Sequence, residues 1–163
     1  MESRPRCYVA SPLGFSEAGR HWYREVYLPA LRQFVEPVDP WALISDAEVA
    51  QAASNGEEQR MARTIGERNR EALQSCELLV AFLDGQEVDA GTAAEVGFGA
   101  AYGLRCFGLR SDYRQSGEPG ATINLQVEAF IAMSGGRIVR SLEELLDELR
   151  RAVDRTPDPA VSA

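Results

Sequence analysis

The chain lacks lysine altogether, and all 17 of its basic residues are arginine. A Schiff-base lysine, a phosphate-loop lysine and a Ser–Lys dyad are therefore excluded. Histidine occurs once, as His21, in a polar stretch without an evident partner. A Ser–His–Asp triad or a histidine-based metal site is accordingly not expected. Any catalysis by this protein has to rely on carboxylates.

Cysteine is scarce as well. Cys7, Cys76 and Cys106 show no CxxC spacing, which favours small buried thiols over a disulfide framework or a zinc site. Neither GxGxxG nor GxxxxGK[ST] follows the first apolar segment, which argues against a bound dinucleotide or nucleoside triphosphate. The net charge of −8 argues against a nucleic acid polymer as a partner.

Long apolar runs are also missing. No run reaches about 18 residues, so a membrane span is not expected. The first residues, "MESRPRCYVAS", lack the apolar core of a signal peptide. We therefore expect a soluble, cytoplasmic protein. With 163 residues and 45% hydrophobic composition, the chain fits one domain, predicted over residues 1–155, with a flexible tail at 156–163.

Apolar, β-prone segments alternate with helical patterns along the chain. Strands are predicted at residues 6–11, 35–40, 77–84, 105–111 and 137–141. Helices are predicted at 16–34, 57–75, 91–102, 124–133 and 142–153, with a short helix inside 41–55 and an irregular loop at 112–123. This order predicts an α/β fold, a flavodoxin-like or Rossmann-like three-layer sandwich with a five-stranded parallel sheet. Two prolines add detail: Pro29 should bend the first helix, and Pro37 should place the second strand at an edge.

In open parallel sheets, ligands bind beyond the carboxyl ends of the strands. One such end opens the stretch "LDGQEVDAGTAAEVGFGAAYG", residues 83–103, where Asp84, Asp89 and Glu95 stand among small residues. Asp84 and Asp89 fit either a helix cap or turn, or a ligand site. Glu95 fits either an exposed helix position or a nucleophile or general base. Gly91 and Gly99, four residues on either side of Glu95, are expected to leave space for a substrate or a second chain.

Other candidate residues come from the remaining strand ends. Tyr8 fits either the core or the crevice, because it lies near the end of the first strand. Phe15, beside Gly14 in the following loop, and Trp41 fit either simple packing or an aromatic cover over a flat ring. Asn124 fits either a helix N-cap or an amide that holds a hydroxyl group.

Taken together, these residues resemble the nucleoside 2-deoxyribosyltransferases. The matching segments, which follow one another between residue 8 and about residue 149, are "YVASPLGF", "LLVAFLDG", "VDAGTAAEVGFGAAYG" and "NLQVEAFI". The resemblance implies transfer of a 2-deoxyribosyl group from a 2′-deoxynucleoside to a free nucleobase, with retention and through a covalent ester on a glutamate. It implies no metal and no organic cofactor. The chemistry matches that of retaining glycosidases, in which one carboxylate attacks the anomeric carbon.

The resemblance also implies a role for each matching residue. Glu95 would be the nucleophile, and Tyr8 would orient it. Asp84 would contact the base and move its proton, while Asp89 would bind the 5′-hydroxyl. Asn124 would reach the sugar from a neighbouring subunit of a homo-oligomer, with a dimer as the minimal unit or a hexamer. Phe15 would cover the base. Gly14 and Trp41 are expected to bind substrate because of their positions after the strands, and base preference is expected to depend on Phe15, Trp41 and the shape of the loops.

The sequence departs from the family pattern in two respects. Some members place a C-terminal aromatic residue and carboxylate in the site, whereas this chain has no aromatic residue after Phe130. Relatives that hydrolyse deoxynucleoside monophosphates use serine-rich loops, and Ser11, Ser16 and Arg20 keep that reading open. A carboxylate at Asp89 argues against it, since it would repel a 5′-phosphate. The alternatives are thus an N-glycoside hydrolase and a non-catalytic nucleotide-sensing module.

Overall fold

Residues 4–154 are described by the computed structural model of the chain. The predicted tail at 156–163 lies outside this range, as does the predicted end of the domain at residue 155. Within the described range, no helix is long and apolar enough to cross a membrane.

The sheet has five parallel strands. They are β1 (Arg6–Ala10), β2 (Glu36–Val38), β3 (Leu78–Phe82), β4 (Arg105–Leu109) and β5 (Ile138–Val139). Their order in the sheet is β2-β1-β3-β4-β5. This arrangement confirms the predicted five-stranded α/β fold, and the proline-containing β2 is at an edge as expected. The topology brings the ends of β1 and β3 side by side. Phe15 follows β1, and Asp84, Asp89 and Glu95 follow β3.

Seven helices, counted over residues 4–154, connect or cover the strands. They are α1 (Glu17–Trp22), α2 (Leu28–Leu31), α3 (Asp46–Ser54), α4 (Glu58–Gln74), α5 (Ala90–Tyr102), α6 (Leu125–Met133) and α7 (Leu142–Asp154). Two short 3₁₀ turns, Leu13–Phe15 and Pro40–Ala42, lie where β1 and β2 end. Both turns carry aromatic side chains toward the same edge of the sheet.

The first predicted helix is interrupted by a π-helical stretch, Tyr23–Tyr27, between α1 and α2. The backbone N–H of Leu28 donates to the carbonyl oxygen of Tyr23, five residues earlier. Pro29 follows directly and has no N–H to donate, so the regular i to i−4 pattern cannot continue through this point. Pro29 thus lies beside a change in hydrogen-bond register, and the bend itself stays a prediction.

Side chains of β1 alternate between two apolar cores. Tyr8 and Ala10 face the layer formed by α4, α5 and α6, whereas Cys7 and Val9 face the layer of α1, α2 and α7. Helices therefore cover both faces of the sheet, as the three-layer prediction requires. All three cysteines are buried free thiols, which confirms their predicted packing role.

Candidate active site

A cleft of about 320 Å³ lies at the carboxyl ends of β1 and β3. Its lining comes from three loops and two helices: Ser11, Phe15, Pro40, Trp41, Ile65, Asn69, Asp89, Gly91, Thr92 and Glu95. Phe15, Trp41, Asp89 and Glu95 were selected from the sequence as candidate site residues, and all four line this cleft. The position agrees with the rule for ligand sites in open parallel sheets.

Tyr8 and Glu95 are joined across the sheet–helix boundary. Tyr8 is fully buried in β1, on the face that packs against α5. Its hydroxyl donates a 2.6 Å hydrogen bond to Oε1 of Glu95, in the second turn of α5. A buried phenol therefore fixes one oxygen of a half-buried carboxylate, while the carboxylate itself lines the cleft.

The surroundings of Glu95 disfavour its charged form. Burial raises the pKa of Glu95 to about 7, against the opposing hydrogen bond from Tyr8 and with a smaller contribution from the charge of Asp89. Burial, followed by the nearby Glu95 charge, raises the pKa of Tyr8 well above its usual range. The phenol therefore stays protonated and donates to Glu95 whenever the carboxylate is ionised.

Asp89 is the N-cap of α5. Its Oδ2 accepts hydrogen bonds from the backbone N–H and the hydroxyl of Thr92, at 2.9 and 3.1 Å. Within residues 4–154, its Oδ1 accepts no hydrogen bond, and the side chain lines the cleft. The capping interpretation is therefore correct, and one oxygen remains available to a ligand. The positive end of the helix dipole favours a carboxylate at this position.

Two aromatic rings form the wall of the cleft opposite α5. The edge of one ring meets the face of the other, with 4.8 Å between the centroids of Phe15 and Trp41 and 87° between their planes. The indole N–H of Trp41 donates to the carbonyl oxygen of Ser11 at 3.2 Å. Phe15 is 74% exposed, so much of its ring is open to solvent. Gly14 allows the close approach of Trp41, because a Cβ there would lie 2.3 Å from the indole ring.

Asp39 is hydrogen-bonded to the turn that carries Trp41. Its Oδ1 accepts hydrogen bonds from the backbone N–H of Trp41, at 3.0 Å, and from the hydroxyl of Tyr23, at 2.9 Å. Tyr23 is the first residue of the π-helical stretch. The irregular helix thus connects to the aromatic wall through a single carboxylate.

Asp84 does not line the cleft. Its carboxylate accepts hydrogen bonds from the backbone N–H groups of Ser111, at 2.6 Å, and of Asp112, at 3.0 Å, and from the hydroxyl of Ser111. The residue therefore ties the loop after β3 to the loop after β4. This placement differs from the expectation that Asp84 faces the bound base.

Asn124 is an exposed N-cap of α6. Its Oδ1 accepts hydrogen bonds from the backbone N–H groups of Gln126, at 3.0 Å, and Val127, at 3.4 Å. It is not among the residues that line the cleft. Its expected role in a neighbouring subunit remains a prediction.

The two glycines near Glu95 serve different purposes. Gly91 lines the cleft, and a Cβ there would lie 3.1 Å from Oδ2 of Asp89, so its lack of a side chain keeps the cap carboxylate in place. Gly99 is buried against the sheet, and a Cβ there would lie 2.9 Å from Cδ1 of Leu79. Close packing of α5 on β3 therefore explains Gly99, and the expectation that it leaves space for a ligand or a second chain is wrong.

Among the cleft residues, Asn69 was not identified from the sequence at all, and Ile65 and Thr92 were not identified as ligand contacts. Asn69 lies four residues from both Ile65 and Leu73, on the inner stripe of α4. A polar residue within an inward-facing stripe was the signal that could have found it. Its amide is half-buried and lines the cleft.

Arg110 is a further residue that sequence reasoning did not identify. It is fully buried after β4 and donates to the carbonyl oxygens of Leu83, Gly85 and Arg114. Its guanidinium group reinforces the connection between the same two loops that Asp84 joins. Within residues 4–154, no cluster of three or more His, Cys, Asp or Glu side chains could hold a metal ion.

A family model described as nucleoside 2-deoxyribosyltransferase matches residues 7–135. A conserved protein from Enterococcus faecalis V583 is 25% identical, with a TM-score of 0.64 over 92% of this chain and 99% of that chain. A 2-desoxiribosyltransferase from Leishmania mexicana is 21% identical, with a TM-score of 0.64 over 93% and 98% of the two chains. A CMP N-glycosidase from Clostridium botulinum is 15% identical, with a TM-score of 0.55 over 88% and 97%. Curated protein sequences gave no significant match. The Leishmania mexicana and Clostridium botulinum structures, at 21% and 15% identity, show a similarity of fold alone.

Proposed function

The chain belongs to the nucleoside 2-deoxyribosyltransferase family, as its sequence resemblance predicted, and we propose that it transfers the 2-deoxyribosyl group of a 2′-deoxynucleoside to an acceptor purine or pyrimidine base. One observation carries the proposal. The half-buried carboxylate of Glu95, held by the Tyr8 hydroxyl at 2.6 Å, lines a cleft together with the carboxylate of Asp89. The reaction needs a nucleophilic carboxylate and no lysine.

In the first half-reaction, Glu95 attacks C1′ of the sugar on the face opposite the base. Oε1 is hydrogen-bonded to Tyr8, so Oε2 is the oxygen that forms the new C1′–O bond. The C1′–N bond breaks, and its electron pair remains on the departing base, which takes up a proton. The transition state resembles an oxocarbenium ion, as in retaining glycosidases.

In the second half-reaction, a nitrogen of the acceptor base attacks C1′ of the ester. The C1′–O bond breaks, and its electron pair returns to Glu95 as a carboxylate. The acceptor gives up one proton, equal to the one that the first base took up. Two inversions at C1′ give overall retention. Tyr8 contributes by keeping the carboxylate of Glu95 oriented in both steps.

The sugar is assigned to Asp89. Its Oδ2 is used in capping α5, and Oδ1 is available to accept a hydrogen bond from the 5′-hydroxyl. A carboxylate at this point also repels a 5′-phosphate, which favours nucleosides over nucleotides. Phe15 and Trp41 are assigned to the faces of the base, because they form the aromatic wall of the cleft.

The edge of the base has two candidate contacts. We place the amide of Asn69 there, since it lines the cleft and can donate hydrogen bonds to the nitrogen that gains the electron pair. For Asp84 to move the proton of the base, its carboxylate has to leave its hydrogen bonds to Ser111 and Asp112. Comparing Asn69→Ala with Asp84→Asn tests the two assignments: the variant at the direct contact should change the ranking of donor bases, and the other should lower all rates alike.

The experiment that tests the function is a trap of the covalent intermediate. The protein is mixed with a panel of 2′-deoxynucleosides, quenched in acid and examined by mass spectrometry. We expect the mass of one deoxyribosyl group on the peptide that contains Glu95. Glu95→Gln, which keeps the hydrogen bond from Tyr8, should lose this adduct and orders of magnitude in rate, whereas the exposed control Glu87→Gln should keep both. Turnover without any adduct on Glu95, or equal rates in both variants, would contradict the proposal.

Hydrolysis is the second candidate function, with water as acceptor. Phe15 is 74% exposed, so the wall of the cleft leaves a path for water, and the Clostridium botulinum relative of the same fold is a CMP N-glycosidase. Incubating a deoxynucleoside with and without a second free base separates the two functions. A new nucleoside that forms only with the second base supports transfer, and equal release of deoxyribose in both reactions supports hydrolysis. A nucleotide-sensing module would show neither product.

A further inference from the structure

Trp41 lines two cavities. One is the cleft of Glu95, of about 320 Å³, and the other is a second cavity of about 600 Å³. Among the described residues, Trp41 is the one that lines both. The second cavity takes no part in the proposed reaction, and Trp41 is the residue through which the two cavities adjoin.

The indole ring of Trp41 is held on several sides. One face of the ring packs directly on the backbone of Gly14, where a Cβ would lie 2.3 Å from two ring atoms. The indole N–H donates to Ser11, and the backbone N–H donates to Asp39. These contacts fix both ends of the residue. Trp41 is 37% exposed but is held by these contacts, in contrast to Phe15, which is 74% exposed.

The second cavity is polar, unlike the aromatic wall of the cleft. Its lining includes two arginines, Arg20 and Arg24, and two aspartates, Asp39 and Asp46. The guanidinium group of Arg20 donates to the carbonyl oxygen of Gly14 at 3.0 Å, and Asp39 is hydrogen-bonded to Tyr23 and Trp41. Charges of both signs thus surround the space. A short, uncharged chain that donates and accepts hydrogen bonds fits this lining, whereas a flat apolar ring does not.

We propose that Trp41 determines specificity by excluding nucleobases that carry an extended exocyclic substituent. The inference rests on the proposed function, because it takes the base to lie against Phe15 and Trp41. The cleft alone is near the lower end of the range for small-molecule sites, about 300–1,000 Å³. Shortening Trp41 joins it to the second cavity, so a polar substituent on the base gains a place to extend.

The test compares 2′-deoxyadenosine with N6-(2-hydroxyethyl)-2′-deoxyadenosine as donors, using kcat/KM for base release. We expect the native protein to favour the unsubstituted donor. Trp41→Ala and Trp41→Leu should each reduce this preference by about tenfold or more, the scale at which pocket shape discriminates between substrates. Trp41→Leu keeps an apolar side chain in the turn, so the test can still be made with this variant if Trp41→Ala does not fold. The matched control is Trp22→Phe, which changes the other tryptophan of the chain and should leave the ratio unaltered.

A binding measurement separates this inference from the proposed function. In the Glu95→Gln background, dissociation constants of adenine and N6-(2-hydroxyethyl)adenine are measured by calorimetry, with and without Trp41→Leu. A change in the ratio of the two dissociation constants on Trp41→Leu supports the inference. If the native protein turns over no deoxynucleoside, the proposed function fails, but this binding result still stands. If both Trp41 variants leave the preference for unsubstituted adenine unchanged, the inference is overturned. It is also overturned if they favour a donor extended at the 5′-oxygen instead of at N6, since the sugar would then lie against Trp41.

Discussion

Glu95 has to be ionised to attack C1′, yet it occupies a position where burial favours its neutral form. A pKa near neutrality gives a carboxylate that is partly charged at physiological pH and weakly solvated, which makes it a stronger nucleophile than an exposed glutamate. The hydrogen bond from the Tyr8 hydroxyl partly offsets the effect of burial, because it lowers the pKa of Glu95 and so favours the ionised form.

The first prediction concerns the pH dependence of activity. Since the pKa of Glu95 is about 7 and the charged form reacts, kcat/KM should rise with pH and level off above that value. Tyr8→Phe removes the hydrogen bond that lowers this pKa, so the rising limb should move to higher pH. The variant should therefore lose more activity at pH 6 than at pH 8.5.

Tyr27→Phe is the matched control for Tyr8→Phe. Tyr27 is also fully buried, and its hydroxyl has no hydrogen-bond partner among the described residues. The control should keep the pH profile of the native protein. A profile that is the same in all three proteins would contradict the assigned partnership of Tyr8 and Glu95.

The second prediction concerns stability and follows from the same pKa. Because the pKa of Glu95 is raised from 4.5 to about 7 in the folded state, the folded state binds this proton more tightly than the unfolded state. Stability contributed by the protonated form is present below about pH 4.5 and is lost as pH rises to about 7. Glutamine does not titrate, so the Glu95→Gln variant shows no such loss of stability as the pH rises. The variant should therefore have a higher Tm than the native protein at pH 8 and a similar one at pH 4.5, with a difference in free energy of unfolding of at most about 3 kcal/mol.

Glu48→Gln provides the control for this measurement. Hydrogen bonds from Ser45 and Arg68 lower the pKa of Glu48 to about 2, so the stability that it contributes is lost only as pH falls below about 4.5. The effect of this substitution should be constant between pH 5 and pH 8. A Tm difference for Glu95→Gln that is equally constant would contradict the burial of its charge.

At the scale of the elements, α5 connects the two carboxylates of the cleft. Asp89 caps the helix and Glu95 lies six residues later, so the start of one helix determines the distance between sugar-binding and nucleophilic groups. Capping and ligand binding use different oxygens of Asp89 and can be separated by mutation.

The third prediction separates these two functions of Asp89. Asp89→Asn should keep the cap, because asparagine caps helices as well as aspartate does, whereas Asp89→Ala should lower the free energy of unfolding by about 1 kcal/mol. Both variants should raise KM for deoxynucleosides, since both lose the charged acceptor for the 5′-hydroxyl. Asp89→Asn should also lower the pKa of Glu95 and accept 5′-monophosphates better, because a nearby negative charge is gone. Denaturant unfolding and kcat/KM for a nucleoside and its 5′-monophosphate check each part, and an unchanged KM would argue against the role in binding.

The elements themselves could largely be predicted from apolar patterns. The continuous run at β3 and the alternation of strands and helices determine a parallel sheet with its ligand edge, which located Glu95 and Asp89. The π-helical stretch could not be predicted, because a shift in hydrogen-bond register leaves the apolar spacing almost unchanged. Side-chain direction was the other limit. Asp84 follows the central strand as expected, but backbone N–H groups of the next loop bind its carboxylate.

At the scale of the whole molecule, one chain does not bring every candidate residue to the cleft. Asn124 is exposed at the start of α6 and is absent from the lining. The neighbouring helix surfaces expose large apolar side chains, namely Phe98, Tyr102, Leu125 and Met133. Exposed apolar surface of this kind is typical of protein–protein contacts. Both features support the proposal that subunits of a homo-oligomer share their sites.

The fourth prediction tests shared sites by complementation. If Asn124 completes the site of a neighbouring subunit, Glu95→Gln and Asn124→Ala are each inactive or weak alone, but their mixed dimers contain one site with both native residues. Equal mixing after reversible dissociation should restore about one quarter of the native activity in a dimer, because half of the dimers are mixed and each has one native site. Glu95→Gln mixed with Asp89→Ala is the control, since both residues line the cleft of the same chain. Each site of a mixed dimer then lacks one of the two native residues, so mixing should restore no activity. Sedimentation of each mixture establishes that dimers form. Dimers without any recovery of activity would show that Asn124 acts within its own chain or only caps α6.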